Sequence, residues 1–109
     1  MAFDPGVAER LRESLRDRAG VSEKRMFGGI AFMLRGHMLA GVVGEVLMAR
    51  VGPPRYAELL RRPHAREMDF TGKPLKGFIY VDPPGFAEDA DLAAWLAACL
   101  EFNATQAAK

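Results

Sequence analysis

Between Lys24 and Val51 the chain is a succession of short apolar runs, Ile30–Leu34, Met38–Val43 and Val46–Val51, separated by Arg35-Gly36-His37 and Gly44-Glu45. Runs this short, broken by glycine-bearing turns, specify an antiparallel meander. Within Ile30–Leu34, Ile30, Phe32 and Leu34 share one face, and within Val46–Val51, Leu47, Ala49 and Val51 do the same. Glu23–Phe27 reads as a half-polar edge segment, joined to Ile30 through Gly28-Gly29. Two adjacent glycines permit either a tight turn or a bend within one long strand, and the sequence leaves both open.

Helices flank the meander. Asp4 as N-cap, Pro5 in the first turn and Val7, Leu11 and Leu15 at spacing four predict a helix from about Pro5 to Ala19, stopped at Gly20. Gly52-Pro53-Pro54 ends the sheet run, and a short helix bearing Tyr56, Leu59 and Leu60 follows until Pro63 blocks it. Glu67–Phe70 and Phe78–Val81 read as strands around a Thr71-Gly72-Lys73-Pro74 loop. Asp89, Leu92, Trp95, Leu96, Cys99, Leu100 and Phe102 define a last helix, with Asn103 and the tail from about 104 to 109 expected to fray. The predicted architecture is an α+β, two-layer α/β sandwich with an antiparallel five-stranded sheet, ordered α-β-β-β-α-β-β-α.

With 109 residues, 50% of them hydrophobic, the chain has the size and material of one domain with one core. A net charge of +1 gives no overall field directed at nucleic acid. No apolar run approaches the roughly 20 residues that span a bilayer, and the N-terminus lacks the pattern of a signal peptide. A single cysteine, Cys99, allows no internal disulfide, so a reducing cytoplasm is expected. Charge is nonetheless segregated: Arg55–Lys76 holds six basic residues against three acids, and five acids against Lys109 alone follow Gly77. Arg61, Arg62, Arg66, Lys73 and Lys76 are therefore the candidate contacts for an anion or an acidic partner.

Three modest helices can shield one face of such a sheet, yet both faces of the meander are apolar. Ala31 and Met33, Ala40 and Val42, Val46 and Met48 are all uncharged, and a sheet with one wet face alternates more cleanly. A second copy of the chain is the expected cover, giving a homodimer with Met33, Val42, Met48 and Arg50 as candidate interface residues. Arg50 stands out as a charge among apolar strand positions, either lying over the sheet edge with its head in water or forming an interface ion pair, with Glu67 or Asp69 as possible partners.

Nothing in the residues assembles a catalytic constellation. His37 and His64 stand far apart with no neighbouring cysteine, so neither marks a metal site, and Cys99 has apolar neighbours unsuited to a reactive thiol. Ser14 and Ser22 lack any Gly-x-Ser-x-Gly context. Gly28-Gly29 is not followed by a phosphate-loop sequence. The expectation is a non-enzyme with no cofactor.

Lys24-Arg25-Met26-Phe27-Gly28-Gly29-Ile30-Ala31-Phe32, Met48-Ala49-Arg50-Val51-Gly52-Pro53 and the long stretch Arg62–Val81 resemble the N-terminal domain of the TfoX/Sxy competence regulators. The likeness runs from the first helix to the last. It implies a two-layer sandwich and relatives that act in bacterial gene regulation for DNA uptake, with a cyclic-AMP receptor protein as their partner. Full regulators of that family carry a further helical domain after this one, and the chain ends at Lys109, so a stand-alone N-terminal module is expected. The leading expectation is a dimeric protein-interaction module. The alternatives are a nucleic-acid-associated regulator using residues 55–76, or a small ligand-binding or enzymatic domain with a pocket near Gly28, Arg50 and Tyr80.

Overall fold

The computed structural model describes residues 3–26, 28–69, 72 and 75–107. Its elements are α1 (Pro5–Ser14), β1 (Val21–Met26), β2 (Gly29–Leu34), β3 (His37–Val43), β4 (Val46–Arg50), α2 (Pro53–Leu60), β5 (Ala65–Glu67), β6 (Phe78–Val81) and α3 (Asp89–Ala104). The strands form one antiparallel sheet in the order β1-β2-β3-β4-β6-β5. Helix α3 lies against β3 and β4, α1 against β3, and α2 against β5 and β6. The α+β sandwich is therefore as expected, but the sheet has six strands rather than five. Among the described residues no helix is long and apolar enough to cross a membrane.

The extra strand comes from Gly28-Gly29. Met26 pairs with Gly29, so the chain reverses over the two intervening residues and does not merely bend. Gly28 has φ +77, a left-handed conformation that glycine adopts without steric cost. Position 27 lies outside the described residues, as do 70, the last of the expected Glu67–Phe70 strand, and 71, 73 and 74 of the expected Thr71–Pro74 loop.

The helix-facing core follows from alternation. Ile30 and Phe32 stand opposite Val42 and Ala40, and Leu47, Ala49, Ile79 and Val81 continue the same face beneath Leu11, Leu92, Trp95 and Leu96. Val42 is fully buried in this layer. Its expected place in an interface is therefore corrected: it faces the protein's own helices. In β3 the alternation breaks. Phe32 pairs with Ala40 but Met33 with Met38, leaving Leu39 as an unpaired extra residue. That bulge sends Leu39 into the main core and turns Met38 to the opposite face.

Helix α1 begins as predicted, with the Asp4 carboxylate accepting from the Gly6 amide at 2.7 Å. It stops at Ser14, not Ala19. Residues 16–19 after Leu15 are all exposed, Ala19 included, and a short helix without tertiary contact does not sustain itself. Strand β5 also starts two residues before the predicted Glu67, because His64 adopts φ +67 and turns the chain directly into the sheet.

Asn103 is anchored rather than frayed. It is 3% exposed, its side-chain NH2 donates to the Leu34 carbonyl at 3.0 Å, and its backbone carbonyl accepts from Arg35 at 3.1 Å. A ring nitrogen of His37 lies 2.7 Å from the Ala107 carbonyl, so the end of α3 and the residues after it are tied to the β2–β3 hairpin. Asn103→Ala strips the Leu34 carbonyl of a buried donor. It is expected to cost about 1–3 kcal/mol, read from urea unfolding.

Candidate functional site

The face of the sheet turned away from the helices carries a second, smaller apolar cluster. By register it presents Ser22, Lys24 and Met26 from β1, Ala31 and Met33 from β2, and Gly41 and Val43 from β3. Strands β4 and β6 add Val46, Met48 and Arg50 beside Phe78 and Tyr80, and β5 adds Arg66. Its centre is a methionine cluster in which Ala31, Met48 and Met68 are 0% exposed and Met38 is 4% exposed. Gly41 makes the seat: a Cβ there would stand 2.8 Å from the Met48 methyl and 2.5 Å from the Ile30 carbonyl.

Part of the cover over this cluster comes from the chain itself. Met68, just past β5, and Leu75, before β6, both pack against it, and the Leu75 amide donates to the Met68 carbonyl at 3.0 Å. Met48 therefore has no surface to offer a second chain, which corrects its expected interface role. Around the covered centre Met26, Met33, Val43, Phe78 and Tyr80 remain half-buried. Met33 keeps its place as an interface candidate. The contribution of Met68 and Leu75 was missed in the sequence. Its signal was an apolar residue on each side of a polar turn, next to a strand too short to use them.

Arg50 sits at one end of this face. Its guanidinium lies 5.2 Å from the centre of the Phe78 ring and 5.5 Å from that of Phe102. Among the described residues of the single chain neither Glu67 nor Asp69 pairs with it. Burial lowers its affinity for the proton. The stabilisation it does receive is from two aromatic faces. Tyr80 shares this surface on the neighbouring strand, but Gly28 stands in the β1–β2 turn beyond β3, so the three do not form one pocket.

The basic segment is dispersed, and two of its arginines are matched by acids. Arg55 pairs with Glu58 at 2.8 Å and Glu101 at 3.4 Å, which raises its pKa, and Arg66 grips Asp82 at 3.1 Å while stacking on Tyr80. Arg62 lies over Trp95 in the helix layer, on the opposite side of the sheet from Arg66. Arg61 and Lys76 are exposed, and Lys73 lies outside the described residues. A nucleic-acid backbone is met by several cations along one track, whereas Arg62 and Arg66 stand on opposite sides of the sheet.

Cys99 is 1% exposed among core residues, and burial pushes its thiol up to about 12, far from a thiolate at neutral pH. Among the described residues no three His, Cys, Asp or Glu side chains converge as metal ligands.

The family model of the TfoX N-terminal domain matches residues 13–103. No curated protein and no solved structure shows significant similarity to the chain.

Proposed function

Because the chain belongs to the TfoX N-terminal domain family, we propose that it is a non-catalytic, cytoplasmic protein-interaction module of bacterial competence and transcription control that works as a homodimer. The observation that carries this reading is the half-buried apolar rim of Met26, Met33, Val43 and Tyr80 around the methionine cluster. A second copy laid on that rim removes the remaining apolar surface from water, and methionine adapts its shape to a partner at little cost. Pairing along a sheet edge is the less favourable route. One edge strand, β1, exposes Glu23, Lys24 and Arg25, and the other, β5, has three residues. The dimer then offers its outer surfaces to a protein partner in transcription control.

Sedimentation equilibrium tests the reading. The wild-type chain is expected to be dimeric at micromolar concentration. Met33→Lys, which places a charge in the rim, is expected to raise the dimer dissociation constant by about thirtyfold or more, the weight of one central interface residue. A wild-type chain that stays monomeric throughout that range sinks the proposal.

A further inference from the structure

A second surface feature lies in the helix layer, away from the methionine face. Between the turn leaving α2, the 3₁₀ turn Pro83–Gly85 and the first turns of α3 is a cleft of about 370 Å³. Arg62, Pro63, His64, Gly85, Asp91 and Trp95 are among the residues that line it. This is the size of a small-molecule site, for which ~300–1,000 Å³ is usual.

Its walls are held in place. The His64 carbonyl accepts from the Asp82 amide at 3.0 Å, and the Asp82 carbonyl accepts from Gly85 at 2.8 Å. A Cβ at position 85 would come 2.6 Å from a Val81 methyl and 3.0 Å from the His64 Cβ, so only glycine allows this approach. His64 itself stands at φ +67, a conformation that costs a non-glycine residue free energy and that surrounding structure must impose.

Two opposite charges share this cleft without pairing. The Arg62 guanidinium is positioned 5.1 Å from the centre of the buried Trp95 ring, and among the described residues its donors meet no acceptor. Its charge reaches Glu58 as a minor influence, behind the direct bond from Arg55. Asp91 lines the same cleft, and its carboxylate likewise forms no ion pair among the described residues. An anion alone would face Asp91 repulsively, and a cation alone would face Arg62. A ligand bearing both signs satisfies both, and a stacked guanidinium offers its free edge as a fork that fits a carboxylate.

We propose that the cleft binds a small zwitterion of the amino-acid class, its carboxylate on Arg62 and its ammonium on Asp91, with His64 at the rim. The site does not depend on self-association through the sheet.

The test is a titration of isotope-labelled protein with the individual proteinogenic amino acids, followed through backbone amide shifts. Acetate and methylamine serve as the two half-ligands. At least one amino acid is expected to give saturable shifts confined to residues 62–64 and 91–95. Asp91→Asn and Arg62→Gln are each expected to weaken it by about tenfold or more, as for loss of one charge-assisted contact. If Arg62→Gln destabilises the fold by uncovering Trp95, Arg62→Lys keeps the charge, removes the fork and is expected to weaken binding as well. Shifts from no amino acid overturn the proposal. So does acetate binding as tightly as the best amino acid with Asp91→Asn without effect, since that describes a plain anion site.

Discussion

Gly52→Ala is expected to destabilise the domain by about 2–6 kcal/mol, a loss of roughly 10–25 °C in melting temperature for a chain of this size. Two costs add. Gly52 has φ +82 and ψ 157, a region open essentially to glycine, and a side chain there costs of order 1–3 kcal/mol. A Cβ would also stand 2.1 Å from one carbon of the Phe102 ring and 2.5 Å from two more. Overpacking of that kind costs typically about 1–3 kcal/mol. Retreat is blocked on the other side, where the amides of Val51 and Gly52 donate to the Gly77 carbonyl at 2.8 and 3.1 Å. Gly44→Ala is the control: it has φ +56 but open space around it, so it is expected to cost only the backbone part, about 1 kcal/mol. Urea unfolding of both variants, and of Gly52→Ala combined with Phe102→Ala, separates the two costs. If Gly52→Ala costs no more than Gly44→Ala, the Phe102 ring yields freely. The aromatic seat of Arg50, which Phe102 also forms, is then looser than the packing implies.

The same glycine shows where sequence reasoning reached and where it stopped. Gly52-Pro53-Pro54 marked the end of the sheet, because punctuation by glycine and proline is local chemistry. That Gly52 must receive the Phe102 ring is a contact across fifty positions, invisible to any local pattern. Gly28-Gly29 failed in a related way: turn and bend use the same residues, and only the pairing of Met26 with Gly29 decides between them. The face assignment of β4 was legible, since Leu47, Ala49 and Val51 alternate without interruption. That of β3 was not, because the bulge at Leu39 inserts one residue and inverts the faces beyond it. Of the candidate site, the two-sided greasiness of the sheet could be read from Met33 and Met48. Which methionines the chain covers for itself depended on where Met68 and Leu75 come to rest. Charge patterning alone makes Arg62 one candidate contact for an anion among five, and its stacking on Trp95 joins elements that no local pattern brings together.

Met48→Ala is expected to cost about 2–5 kcal/mol, the usual range for truncating a fully buried methionine. The cost should be independent of protein concentration, because Met48 is shielded within one chain by the cluster it shares with Ala31, Met38 and Met68. Met68→Ala should behave similarly and, by removing one of the contacts that hold the β5–β6 connection over the sheet, increase binding of a hydrophobic dye. Met33→Ala, at the half-buried rim, should cost less than about 1 kcal/mol in the monomer and act instead on self-association. Chemical denaturation over a wide range of protein concentration distinguishes interior from interface. An interior residue lowers the midpoint equally at every concentration, whereas a residue at a subunit contact lowers it most where dimer predominates. If Met48→Ala followed the second pattern, its burial within the single chain would not describe the protein in solution. The methionine cluster as a whole, and not its rim, would then be the surface on which two copies meet.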